Sequence, residues 1–184
     1  MGSQPNHTRL RRAPWLGLLI GAALAIAGGA FIWASFFDQS GSTGISPTAL
    51  YTTRLPDGEG KSVTIGQWQG KVLLINFWAT WCAPCQEEMP HLVEAQRRYA
   101  DKGLQVVGIA VDKTDTVNAY SRKMGINYPI LIDEGRGMAL SKRFGNRAGI
   151  VPFTALVDRQ GQIVQIVAGA LSAEQLELLL RNRF

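Results

Sequence analysis

Hydrophobic residues fall into one long block near the start of the chain and a series of short blocks after it. The long block, Ala13 to Phe37, runs for 25 residues without a charge, follows Arg9, Arg11 and Arg12, and ends at Asp38. A helix needs about 20 apolar residues to cross a bilayer, so segment 13–37 is long enough to span one. Trp15 near one end and Trp33, Phe36 and Phe37 near the other read as interfacial aromatics, and the arginines should hold residues 1–12 in the cytoplasm. Ala25-Ile26-Ala27 before Gly28 also resembles a signal-peptide cleavage site. The apolar run continues ten residues past it, which favours an uncleaved anchor; either way the rest of the chain faces the periplasm or the cell exterior.

Beyond the block, Asp38 to Pro47 is polar and rich in Gly and Ser, a flexible linker. Residues 48–184 then carry short apolar runs of changing period. Leu55-Pro56-Asp57-Gly58 and Ser62 to Ile65 suggest a hairpin turning around Asp57 to Gly60. Val72 to Trp78 reads as a buried strand, followed by a helix to about Ala100 that Pro90 should kink. Strands at Gln105 to Val111 and Tyr128 to Ile132 alternate with helices at Thr116 to Met124 and Gly137 to Phe144. A strand at Phe153 to Val157 turns at Arg159-Gln160-Gly161 into a strand at Ile163 to Val167. Ser172, with Gln175 three residues on, caps a final helix. Alternating strands and helices predict an α/β layered sheet.

Charge adds little to this picture. The net charge of +5 falls to +2 from Asp38 onward (16 basic, 14 acidic) once the three N-terminal arginines are set aside. No basic stripe with interleaved aromatics is present, so no nucleic-acid partner is expected.

Cysteine usage changes the picture most. The only two cysteines stand at Cys-x-x-Cys spacing in Trp81-Cys82-Ala83-Pro84-Cys85. Pro84 suits the first turn of a helix, so Cys82 lies at a helix N-terminus, where unpaired N–H groups and the macrodipole favour a thiolate. Cys82 is therefore the expected nucleophile and Cys85, one turn on, the resolving thiol. A structural disulfide across two residues would restrain almost no chain entropy. Structural zinc would need more ligands than His7 and His91 supply. Copper(I), which soft thiolates select, stays open as an alternative.

Several separated segments resemble the membrane-anchored TlpA/ResA-type thiol-disulfide oxidoreductases of thioredoxin-like fold. They are Gly70-Lys71-Val72, Asn76 through Cys85, Glu88-Met89-Pro90 and Val151-Pro152-Phe153-Thr154. The resemblance implies a thioredoxin-like α/β fold with an inserted strand–helix unit around Thr116 to Ile132, plus the N-terminal transmembrane helix. It implies a cis Val151–Pro152 bond against the cysteine pair, whose backbone could pair with an extended substrate. Trp81, Pro84, Val151 and Pro152 form the expected substrate surface, with Trp78 in the core. Where cytoplasmic thioredoxins carry a buried aspartate, this chain has Asn76, an amide that cannot take a proton. Glu88, on the same helical face as Cys85, is the expected substitute, its alternative being a solvated helix charge; Glu87 reads as plain surface. Relatives serving cytochrome c maturation carry an acidic residue after the cis proline and a glycine two before it, where this chain has Phe153 and Ile150.

The expected activity is reduction of disulfides in exported proteins, such as apocytochrome c or metallochaperone thiols. The expected partners are those proteins, the inner membrane through the N-terminal helix, and a membrane electron donor of thiol-transfer type; no cofactor or metal is implied. A disulfide-forming oxidase is the rival within the same chemistry, although no histidine lies between the cysteines to favour the thiolate. A peroxidase reading lacks its motif, since Ala79 and Ile75 stand where Thr or Ser and Pro would be needed before Cys82.

Overall fold

The computed structural model describes residues 44–181 and 183–184. The expected tail 1–12, membrane span 13–37 and linker residues 38–43 lie outside them, and among the described residues no helix is long and apolar enough to cross a membrane. The elements in chain order are α1 (Pro47–Tyr51), β1 (Arg54–Pro56), β2 (Ser62–Thr64), a 3-10 turn (Ile65–Trp68), β3 (Val72–Trp78), α2 (Ala83–Tyr99), β4 (Leu104–Ala110), α3 (Thr114–Met124), β5 (Ile130–Ile132), α4 (Gly137–Arg143), β6 (Phe153–Val157), β7 (Ile163–Ala168) and α5 (Ala173–Leu180).

Five strands form one sheet in the order β5-β4-β3-β6-β7, and β1 and β2 form a separate hairpin. β3 pairs in parallel with β4 and antiparallel with β6, so it is central. All seven of its residues are buried, as expected for a strand covered on both faces. The two-residue period divides it cleanly. Val72, Leu74 and Trp78 pack with Met89 and Leu92 of α2, Val117 of α3, and Leu176 and Leu180 of α5. Leu73, Ile75 and Phe77 pack on the other face with Leu50 of α1, Leu55 of β1, Ile65 and Trp68 of the 3-10 turn, and Leu140 and Phe144 at α4. There the Phe77 and Phe144 rings meet edge to face, centroids 5.3 Å apart, a favourable aromatic geometry.

The expected helix-and-strand insertion is α3 and β5; β5 extends the sheet by pairing in parallel with β4. α2 runs continuously through Pro90. The Ser172 and Gln175 capping box of α5 is fully formed, but the helix ends at Leu180, short of the chain end. At the other end the fold begins before Thr48: Ile45 is buried in the second core and Ser46 caps α1 by accepting from the Ala49 N–H. The Ser46-Pro47 pair is a local start signal for a helix too short to show an apolar period.

Candidate active site

The strand β3 delivers residues 79–82 to the start of α2, where Cys82 is the N-cap and Pro84 lies in the first turn. Cys82 and Cys85 are joined in a disulfide with Cα atoms 5.3 Å apart. The Cys82 sulfur accepts from the Cys85 backbone N–H at 3.2 Å, one of the donors a helix leaves unpaired at its N-terminus. Cys85 is fully buried and Cys82 nearly so, while Trp81 beside them is 68% exposed.

A second set of contacts holds the loop before Cys82. The Asp112 carboxylate, at the end of β4, accepts from both the amide and the hydroxyl of Thr80. The Gln86 side-chain amide donates to the Thr80 carbonyl at 2.6 Å. Burial works against the Asp112 charge, but the hydrogen bonds from Thr80 and the Lys113 amide outweigh it and lower its pKa. Thr80, Gln86 and Asp112 were not singled out by the sequence, because a carboxylate 32 positions away carries no local signal.

The Val151–Pro152 bond is cis. Phe153, the residue after it, forms the last pair of the β6–β3 register with Phe77, one residue before the end of β3 at Trp78. Val151 also packs against the core cluster that contains both cysteines. The turn before it is clamped by Asn146, which is buried. Its amide donates to the Ile150 carbonyl at 2.8 Å and its side-chain oxygen accepts from the Ile150 amide at 3.2 Å. This arrangement leaves the Ile150 side chain 44% exposed.

Glu88 does not lie on the solvated face of α2: it is 1% exposed, whereas Glu87 is on the surface. One carboxylate oxygen accepts from the Asn76 side-chain amide at 2.7 Å, and the other accepts from the Leu171 backbone amide at 2.8 Å. The same Asn76 nitrogen donates to the Thr154 hydroxyl oxygen at 3.0 Å. Burial raises the Glu88 pKa to about 7, against the lowering effect of the two hydrogen bonds. No opposite charge neutralises it, so it is held as a group that changes protonation near neutral pH. Asn76 thus stands beside the carboxylate as its donor. Thr154 and Leu171, the remaining members, come from chain segments 78 or more residues away, and a backbone N–H has no sequence signature at all.

Trp78 is buried in the core. Among the described residues no cluster of three or more His, Cys, Asp or Glu side chains is arranged to hold a metal. The Cys82–Cys85 pair at the start of α2, an exposed Trp81, a cis Val151–Pro152 bond and a buried carboxylate on the same helix make thiol–disulfide exchange a reaction this arrangement can perform.

Comparison with known proteins points the same way. Residues 48–166 match the model of the AhpC/TSA family. Thiol-disulfide oxidoreductase ResA of Bacillus thuringiensis (strain Al Hakam) is 34% identical over 127 residues, covering 68% of this chain and 71% of that protein. The protein of the same name from Halalkalibacterium halodurans is 29% identical over 168 residues, 91% of this chain and 93% of its own length. The solved thiol:disulfide interchange protein of the thioredoxin family from Chlorobium tepidum TLS superposes with a TM-score of 0.63 at 27% identity, over 71% of this chain and 92% of its own.

Proposed function

The chain belongs to the AhpC/TSA family as a ResA-like thiol-disulfide oxidoreductase, and from that premise we propose that it reduces disulfides of exported proteins from a membrane-tethered position. The observation that carries the reading is the Cys82–Cys85 pair at the N-terminus of α2, alongside the cis Val151–Pro152 bond. In the reduced enzyme the Cys82 thiolate attacks one sulfur of a client disulfide. A mixed disulfide forms and the other client sulfur leaves as a thiolate. Cys85 then gives up its proton to Glu88 and attacks the Cys82 sulfur, which releases the second client sulfur and leaves the enzyme disulfide. Two electrons pass from enzyme to client in this cycle, so an external dithiol must restore the enzyme; a membrane electron donor of thiol-transfer type is the proposed source.

Trp81, Pro84 and Val151 are the proposed apolar docking surface, and the Val151 backbone beside Pro152 is proposed to pair with an extended client segment. Residues 13–37 are the proposed anchor, with the catalytic domain in the periplasm or outside the cell, where client disulfides persist. Apocytochrome c and metallochaperones are the client classes proposed, since both must have reduced thiols to be loaded.

The test is asymmetric trapping. Cys85→Ser leaves attack intact and removes resolution, so client proteins accumulate as reducible adducts through Cys82 and can be identified by mass. Cys82→Ser traps almost nothing. Equal trapping by both variants would refute the assignment of roles.

A further inference from the structure

One face of the short helix α4 and the start of β1 enclose an open groove of about 330 Å³, lined by Thr53, Arg54, Leu55, Asp133, Arg136, Ala139, Leu140 and Arg143. Its floor is apolar: Leu55 and Leu140 belong to the second core. Its rim is cationic. Arg136 is the N-cap of α4, and Ala139, Leu140 and Arg143 follow at three-, four- and seven-residue offsets, which places them on one helical stripe. Arg54 faces them from β1. The single acid in the lining, Asp133, is nearly buried; it accepts from the Arg136 amide and lies 3.7 Å from the Arg136 guanidinium. Among the described residues neither Arg54 nor Arg143 pairs with a carboxylate. The groove therefore holds a local excess of two positive charges over an apolar floor, and guanidinium is the group that matches phosphate oxygens geometrically.

The chain's own layout says which anion is close. The fold starts at Ile45 and α1, and both pack on the same face of the sheet as β1 and α4. The six linker residues between Asp38 and Thr43 can extend no further than about 20 Å. On the membrane-tethered reading, a bilayer left at Phe37 lies within that reach of Gly44, where the described fold starts. α2, with Cys82 and Cys85, packs on the opposite face.

We propose that the Arg54/Arg136/Arg143 groove docks the phosphate groups of anionic phospholipids. The inference rests on the membrane-tethered reading above. Docking holds the α4 face against the lipid surface and turns α2 toward the aqueous compartment, an orientation the Gly/Ser-rich linker does not impose.

The full chain is tested in nanodiscs of phosphatidylglycerol and of phosphatidylcholine, with phenylglyoxal labelling of each arginine read by mass spectrometry. An arginine near an anionic surface gains roughly fivefold in binding, so Arg54, Arg136 and Arg143 should label about fivefold more slowly in phosphatidylglycerol. Arg122, on α3 across the sheet, should label equally in both. The protection should vanish at about 1 M salt, where screening is nearly complete. Arg136→Gln with Arg143→Gln should return Arg54 labelling to the phosphatidylcholine rate, with disulfide-reductase turnover in detergent unchanged. Equal labelling of the three arginines in both discs overturns the proposal. So does equal protection by millimolar inorganic phosphate in detergent, which makes the groove a free-anion site. Protection in phosphatidylcholine discs that appears only with added polyglutamate also overturns it, in favour of an acidic polypeptide. A chain that fails to enter either disc refutes the membrane reading itself and is separable from all of these results.

Discussion

Replacing Glu88 by Gln separates its charge from its shape, and the structure sets the size of the effect. The carboxylate is buried, and its pKa is raised from the ordinary 4.5 to about 7. The folded state thus holds this proton more tightly than the unfolded chain. Below pH 4.5 the group is protonated in both states and costs nothing. As pH rises toward 7 the unfolded chain ionises first, and folding must oppose that ionisation; above 7 the loss is complete. A shift of this size corresponds to roughly 3 kcal/mol of stability present in acid and lost in base. Gln cannot ionise, so the variant lacks this dependence.

Its amide can also be accommodated. The side-chain oxygen of Gln can keep the Leu171 N–H, and its nitrogen can donate to Asn76 Oδ1, which has no partner in the wild-type arrangement. Asn76 must flip to present that oxygen, and the Thr154 hydroxyl, a rotor, can then donate to it. The net cost of the exchange should stay near 1 kcal/mol. Urea unfolding of the oxidised protein at several pH values measures the comparison without thiol titration. The variant should gain about 3 kcal/mol on wild type between about pH 4 and about pH 8.5. Stopped-flow resolution of a preformed mixed disulfide should slow by about a hundredfold in the same variant, the usual contribution of a positioned proton acceptor. Parallel stability curves for the two proteins would show that Glu88 does not titrate at a raised pKa and would sink the proton-acceptor role with it.

Other outcomes test separate parts of the account. With no charged residue or histidine between the cysteines, the potential measured against glutathione should lie nearer the thioredoxin value of about −270 mV than the value near −120 mV of a strong oxidant; a result above about −150 mV makes a disulfide-forming oxidase the better assignment. A topology reporter fused after residue 40 should be active only if it is one that functions outside the cytoplasm, and activity of a cytoplasm-only reporter there contradicts the proposed orientation. Gly161, in the β6–β7 turn, has φ +84°, and an added Cβ would lie 2.7 Å from Cε2 of Tyr51. Gly161→Ala should therefore destabilise by about 1–3 kcal/mol in the same urea assay; an unchanged midpoint would mean that the Tyr51 contact yields freely.

What the chain's order of residues determined by itself is the part of the protein controlled within a few positions. Seven consecutive apolar or aromatic-flanked residues ending in Trp78 can form a strand buried on both faces, and Pro84, two residues after Cys82, suits the first turn of a helix there. The capping pair Ser172 and Gln175 acts across three residues. These interactions are satisfied locally, so β3, the start of α2 and the beginning of α5 are legible without a partner. The fate of Glu88 is not, because its position on α2 is equally compatible with water or with burial. It was decided by which segments close over α2: the Asn76 side chain on β3, braced by Thr154 on β6, and the Leu171 amide, brought in from 83 residues away. The same holds for Asp112 on Thr80 and for the groove, where Arg136 and Arg143 share a stripe of α4 but Arg54 joins them only when that helix meets β1. Periodicity and capping are read along the chain; desolvation and charge clustering depend on what lies across from it, and only the tertiary structure supplies that.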